Sequence, residues 1–407
     1  MTEGYAHIEV SLAFEPSVGY RELRASCPVH HVTEHEPPFY VLSRFDDVVA
    51  TLKAPGVWSN NHGPGVFYQE SGVLGTTDDP DHARQRAVLR HAFVPTAVAL
   101  LEPTLRKMAD DLLDDIVPHG EGDFVPLFAL PFPALAIGEL LGVRREDRDM
   151  FGELSAVIVH ALTGGDVAAY ERAKETLGDY VDERLDERAA ADARVDERAG
   201  HNAGSPAELA GPADVLTAML VARRDGRLSR AEVRLLGHQL LVAGHETTTS
   251  LLGTMLLRLL QFPDVMQRLR DDPSLIPAAV EEALRFDSPV NGLFRTNAQA
   301  CTVRDVEIPA QTKLQVLYGS ANRDPSRFSD PDEFRIDRPR EEIGRHVAFG
   351  WGIHHCIGAP LARLEARVAF EQILARMTDI ELAGEPVRNR SFVLHGLVSL
   401  PLRWRAA

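Results

Sequence analysis

One ten-residue segment limits what this 407-residue chain can fold around: Phe349-Gly350-Trp351-Gly352-Ile353-His354-His355-Cys356-Ile357-Gly358. Three glycines in ten residues describe a loop whose backbone can turn tightly and approach a large flat partner. Directly after it, Pro360 opens a helical pattern that runs to Met377 and begins Leu361-Ala362-Arg363. Cys356 therefore stands just before a helix N-terminus, where backbone N–H groups and the positive end of the helix dipole stabilise a thiolate. The other cysteines, Cys27 and Cys301, are distant in sequence. Three scattered cysteines make no disulfide framework, and a lone thiolate lacks the four ligands of structural zinc.

The rest of the chain is a helical body with small strands from distant segments. The first 70 residues read as short strands around a helix at 46–53. Helical patterns follow at 103–117, 133–141, 149–162 and 167–199, the last a charged, solvated helix. Gly200 to Pro212 reads as a surface loop. Ser229 is placed to cap a helix reaching Leu260, about 32 residues and ~48 Å long. Shorter helices are expected at 263–270 and 277–286, strands at 301–317, a Pro/Asp/Arg-rich coil at 322–340 and strands again at 391–404.

A cysteine thiolate presented in this way fits an axial ligand to a haem iron. The segment resembles the haem-binding loop of the cytochrome P450 superfamily, F-G-x-G-x-H-x-C-x-G, at every fixed position. The resemblance implies a soluble bacterial-type P450 fold, mainly α with small β-sheets, with haem b between the long helix and the Cys-loop helix. It extends over essentially the whole chain. This implies one domain over residues 1–407, with its β-rich part at about 28–60, 290–320 and 380–407. Cys356 would be the proximal thiolate and metal ligand, a donor that favours O–O cleavage. Phe349 would pack near the sulfur, Gly350 and Gly358 would lie against the cofactor, and His354 would meet a haem propionate.

Three further stretches match the family in order. Ala243-Gly244-His245-Glu246-Thr247-Thr248, inside the long helix, resembles the oxygen groove A-G-x-[DE]-T. Glycine and threonine are poor helix formers, so a kink or a polar seam is the bland alternative. The family reading has Ala243 against the cofactor, Gly244 making room for O2, and Glu246 and Thr247 delivering protons as an acid–alcohol pair. Glu282 and Arg285 match the E-x-x-R element, whose implied partner is Arg338 in the downstream coil. His82 and Arg86, four residues apart on one helix face, match propionate-binding positions, as does Arg295. Asn297 and Tyr318 are minor departures.

By analogy of position, the substrate pocket would be lined by Phe67, Tyr68, Val73, Leu74, Ile158, Val159, Leu162, Val242, Ala243, Thr247, Val290, Asn291, Leu293, Phe294, Val393 and Leu394. The set is mostly apolar, with Tyr68 and Asn291 as polar contacts. It suits a hydrophobic, mostly neutral substrate: a terpenoid, a steroid-like molecule or a fatty-acyl compound. The leading expectation is an O2-dependent monooxygenase. A peroxide-driven fatty-acid peroxygenase is less consistent with the retained Glu246–Thr247 pair, and a haem sensor would give that pair no purpose.

No flavin, nicotinamide or iron–sulfur signature is present, so electrons are expected from a separate ferredoxin, or a flavodoxin, with its reductase. A net charge of −17 argues against a general nucleic-acid binder. No secretory signal or membrane span is read, and a cytoplasmic monomer is expected. Ferredoxins are acidic, so docking is expected on arginines near the cysteine: Arg84, Arg90, Arg345 and Arg363.

Overall fold

A computed structural model describes residues 6–68, 72–147, 150–154, 157, 167–199 and 215–407. The organising element is a 32-residue helix, Arg230–Gln261. Its start is written locally: Ser229 Oγ accepts the Glu232 N–H, and the Glu232 carboxylate accepts the Ser229 N–H at 2.7 Å. From Ser250 to Leu259 every residue is buried, so this half of the helix has no solvent face and runs through the core. Packed against it are Pro131–Leu141, Val167–Ala199 and the helix after the cysteine loop, Ala359–Arg376.

A five-stranded sheet flanks the helices. Its order is Val29–Val32, Phe39–Leu42, Lys313–Val316, Leu293–Asn297, Trp58–Ser59, so strands remote in sequence become neighbours. Only the Phe39–Leu42 and Lys313–Val316 pair is parallel. Pro401–Ala406 lies between Glu121–Asp123 and Met377–Leu382 in a second sheet. Val387–Arg388 pairs with Leu397–Ser399 to form a hairpin with a register irregularity.

The long helix, the helix 167–199 and the helices near 102–116, 131–141, 263–271 and 276–286 fall where the sequence pattern places them. Two short helices, His7–Leu12 and Ser17–Ser26, were not anticipated in the N-terminal stretch. They are held by long-range contacts: Tyr20, buried in the second, donates to Ser11 at 3.0 Å, and Arg24 donates to the Ser320 carbonyl at 3.0 Å. Residues 391–396 were expected in a strand and are not; they form the hairpin tip, and strand resumes at Leu397. The expected loop 200–212 lies outside the described residues. Among those described, no helix is long and apolar enough to cross a membrane.

Candidate active site

The cysteine loop is shaped by its own backbone. The Cys356 N–H donates to the Phe349 carbonyl at 2.9 Å and Gly350 N–H to Val347 at 2.8 Å. Gly350 and Gly352 hold φ of +68° and +72°, the left-handed region where a side chain is costly. Gly358 is the N-cap of Ala359–Arg376. Cys356 is densely surrounded yet keeps an exposed face. Burial pushes its thiol up. The N–H groups of Gly358 and Ala359 and the guanidinium groups of Arg86 and Arg363 oppose that by favouring the thiolate. The Phe349 ring lies beneath the Arg363 guanidinium, 4.5 Å from its centroid.

Around this loop the structure gathers two histidines and two arginines. The His82 and His354 rings are 4.2 Å apart. Arg86 donates to the His355 carbonyl at 2.8 Å. Arg295, 4% exposed, donates to the Phe294 carbonyl at 2.8 Å and hydrogen-bonds the Tyr318 hydroxyl, both neutral groups. A buried guanidinium among neutral partners fits an anion from outside the chain. With the thiol and the positive-φ glycines, these residues fit a haem carrying two propionates. Tyr318, noted in the sequence only as a departure, is thus a partner of Arg295.

Two acidic residues of the clamp were missed. Asp79 sits 3.2 Å from His82 Nδ1, and Asp78 sits 3.5 Å from His354 Nε2. Hydrogen bonds from His354, Ser59 and Asn60 hold the Asp78 carboxyl down to about 2 despite its burial. The only signal was their adjacency to Pro80 and His82.

On the long helix, Thr247 Oγ1 donates to the Ala243 carbonyl at 2.7 Å, and Ala243 is exposed. Glu246 is 9% exposed, and burial raises its carboxyl to about 7. His245, given no role, is buried with Nε2 2.8 Å from the Leu130 carbonyl; burial lowers it to about 4, so it is neutral. Gly244 was expected to make room for O2. A Cβ there would lie 3.1 Å from Ile137 Cδ1, so what this glycine admits is the neighbouring helix 131–141.

Glu282 lies between two arginines. Arg285 donates to it at 2.7 and 2.8 Å, and Arg338 Nε lies 3.0 Å from both its oxygens. Glu282 and Arg285 are fully buried. Arg285 also reaches the Asn322 and Pro331 carbonyls, both at 2.9 Å, which fastens the coil 322–340 to the helix Ile276–Phe286.

The pocket expectation needs correction. Phe67 and Tyr68 are 60% and 48% exposed. Tyr68 donates to the Gln311 carbonyl, and its ring lies 5.0 Å from the ammonium of Lys313. That buried lysine donates to the His62 and Gly63 carbonyls at 2.7 and 3.0 Å, strapping the loop to the sheet. Phe294 is fully buried, packed edge-on against Phe39 at 5.0 Å, and is core. Val73 and Leu74 are also buried core residues. Asn291 is buried with its amide donating to the Tyr20 hydroxyl and the Phe392 carbonyl, so its donors are already taken. Val242, Val290, Leu293, Val393 and Leu394 stay partly open, with Val290 bridged to Leu394. Ile158, Val159 and Leu162 lie outside the described residues.

Of the expected docking arginines, Arg84 is paired with Asp81 and Glu232, both at 2.7 Å, and Arg363 with Glu281 at 2.5 Å. Arg90 and Arg345 are exposed.

A single cysteine at a helix N-terminus, a cluster of two arginines and two histidines beside it and a carboxyl–hydroxyl pair on a long helix define a haem-thiolate oxidoreductase. The chain belongs to the cytochrome P450 family, whose model, described as Cytochrome P450, matches residues 136–395. It is 41% identical over 332 residues to cytochrome P450 107B1 of Saccharopolyspora erythraea, covering 80% of this chain and 76% of the relative. It is 34% identical to the vitamin D(3) 25-hydroxylase of Pseudonocardia autotrophica, covering 95% and 93%. Among solved structures, cytochrome P450 CYP109Q5 from Chondromyces apiculatus superposes with a TM-score of 0.84 at 34% identity, covering 98% and 97%. CYP109E1 from Bacillus megaterium, solved with testosterone, has a TM-score of 0.82 at 28% identity, covering 96% and 99%. The protein is therefore a bacterial P450 monooxygenase, an enzyme of a haem-iron family that works with O2 and redox partners.

Proposed function

We propose that this enzyme inserts one atom of O2 into an unactivated C–H or C=C bond of a neutral, largely apolar small molecule of steroid-like, terpenoid or fatty-acyl type. It holds haem b, takes two electrons from a separate ferredoxin or flavodoxin with its reductase together with two protons, releases the second oxygen atom as water, and works as a cytoplasmic monomer. When bound, haem b supplies the oxygen-activating redox chemistry. The chain supplies the rest. Cys356 is the thiolate ligand, with Phe349, Gly350 and Gly358 shaping its loop. His82, Arg86, Arg295 and His354 hold the propionates.

The observation that carries this reading is the Glu246–Thr247 pair. Glu246 titrates near neutrality, so it can both give and take a proton at working pH. The adjacent Thr247 hydroxyl sits on the same turn as the exposed Ala243. The partly open apolar side chains Val242, Val290, Leu293, Val393 and Leu394 suit a neutral substrate. Relatives named for vitamin D3 hydroxylation and solved with testosterone support the steroid-like class.

Two measurements test it. The reduced CO complex of the wild type is expected to show thiolate-type absorption that Cys356→Ala loses; a variant retaining it overturns the ligand assignment. Neutral steroids, terpenoids and fatty acids are then titrated for a low-spin to high-spin Soret shift, with product formation measured under a ferredoxin system. No shift with any neutral ligand, and turnover with peroxide alone, would overturn the monooxygenase reading.

A further inference from the structure

Glu246 is not left to orient itself. The face of the long helix that carries Glu246, Ser250 and Gly253 is covered by the C-terminal hairpin Val387–Ser399. The two approach so closely that a Cβ on Gly396 would lie 2.1 Å from Ser250 Oγ, and a Cβ on Gly253 would touch Leu397 at 3.7 Å. The hairpin is fastened elsewhere as well. The His395 N–H donates to the Pro289 carbonyl at 2.8 Å, and Arg388 donates to the carbonyls of Ser11, at 3.2 Å, and Ala13. Within it, the Asn389 N–H donates to the Gly396 carbonyl at 3.0 Å. Asn389 is thus set opposite the contact point on Ser250, one helical turn beyond Glu246. It is 4% exposed, its Oδ1 is buried without a partner, and its side chain is the polar neighbour that favours the ionised Glu246 carboxyl.

We propose that Asn389 is the positioning residue of the proton-delivery acid: its amide donates to the Glu246 carboxyl and fixes both the rotamer and the proton affinity of that group. The proposal rests on the reading of Glu246 as the acid of the pair. An amide donor stabilises the ionised form, whereas burial stabilises the neutral one. The two act against each other on the same carboxyl. Asn389 contributes from a hairpin whose tip, Val393 and Leu394, is also a partly open pocket wall.

The test compares Asn389→Ala, Asn389→Asp and Asn389→Ser with Glu246→Gln in the full-length holoenzyme. The infrared carboxyl band lost in Glu246→Gln identifies Glu246, and its pH titration is followed in the ferric enzyme without turnover. Removal of the amide in Asn389→Ala is expected to move that titration upward by about one pH unit. Asn389→Asp, which adds a like charge, moves it further, and Asn389→Ser, which keeps a donor, moves it back toward wild type. The pH for half-maximal coupling of electrons to product moves in parallel. An unchanged titration in Asn389→Ala, with Glu246→Gln still impairing coupling, overturns the positioning role. Unchanged coupling in Glu246→Gln instead overturns the acid assignment itself, and Ser250→Ala, which keeps the amide, should leave the titration unmoved.

Discussion

A Cβ on Gly352 would lie 2.5 Å from the carbonyl oxygen of Leu52, so the cysteine loop is seated directly on the backbone at the end of the helix Phe45–Leu52. Because the obstacle is backbone, no side chain can swing aside. The residue also holds φ of +72°. Gly352→Ala is expected to lose roughly 2–4 kcal/mol, from the left-handed conformation together with the clash. Gly350→Ala carries a similar φ but would meet the Tyr318 hydroxyl at 3.6 Å and the His354 carbonyl oxygen at 3.8 Å, both ordinary contacts, so it should lose about 1 kcal/mol. Urea denaturation ranks the two. The reduced CO spectrum reports whether the displaced loop still presents Cys356. Equal losses in both variants would show that the Leu52 contact is irrelevant.

Among the described residues, Glu282 is the carboxylate that pairs with both Arg285 and Arg338, and Arg338 also meets Glu342 at 2.7 Å. Removing it leaves the Arg285 guanidinium without a counter-charge in a site from which water is excluded, a change that costs about 3–5 kcal/mol, while Arg338 keeps Glu342. Glu282→Ala is therefore expected to fold poorly and to lose haem on purification. Arg335→Ala is the matched control. Its side chain pairs near the surface with Asp330 and Asp337, and its N–H to Glu282 survives the substitution. That control should stay within about 0.5 kcal/mol of wild type. Denaturation midpoints compare them, and a small loss in Glu282→Ala would mean that Arg285 finds another partner.

The legible parts of the molecule are those where residue type alone dictates backbone behaviour. The Ser229/Glu232 box announces the start of the long helix, and the glycines of residues 350–358 announce the loop. The i,i+4 pair His82/Arg86 locates the clamp because helix geometry puts both on one face. What escaped were contacts made by chain segments brought together only in the fold. Asp78, Tyr318 and Asn389 act on His354, Arg295 and Glu246 from 276, 23 and 143 positions away, and no local pattern marks them. Part of the pocket expectation failed for a related reason. An apolar residue reads the same whether it faces a ligand, as Leu293 can, or the core, as Phe294 does on the next position of the same strand.

Burial raises the Glu246 carboxyl from an ordinary 4.5 to about 7, which makes stability depend on pH in a definite direction. A folded-state value above the unfolded one means that the folded protein binds the proton more tightly. The stabilisation is complete below about pH 4.5 and is lost as pH rises through about 7. The full excursion is on the order of 3 kcal/mol, from about 1.4 kcal/mol per pH unit. Glu246→Gln has no such proton to lose. It is expected to gain on wild type progressively from pH 4.5 to 7 and to hold a constant advantage above that. Urea denaturation of the two proteins across pH 4 to 8.5 gives the difference directly, with all other titrations common to both. A difference that does not vary with pH would place the Glu246 titration outside this window.

The net charge of −17 means that an acidic redox partner is repelled by most of the surface and must find a local exception. Two of the arginines near the cysteine are already neutralised, Arg84 by Asp81 and Glu232 and Arg363 by Glu281. Arg90 and Arg345 are exposed, the first one turn beyond Arg86 and the second just ahead of the loop that begins at Phe349. Their field should therefore steer an acidic ferredoxin, while reversal of a paired arginine mainly disturbs its own carboxylates. Arg90→Glu with Arg345→Glu is expected to slow reduction roughly tenfold at low ionic strength, with the deficit shrinking as salt screens the encounter. Arg84→Ala should slow it far less. Stopped-flow reduction under CO, measured from about 20 mM to about 500 mM salt, separates the two cases because screening acts on steering and not on the electron-transfer distance. A rate with the same salt slope in the double reversal as in wild type would move the docking surface to another face of the molecule.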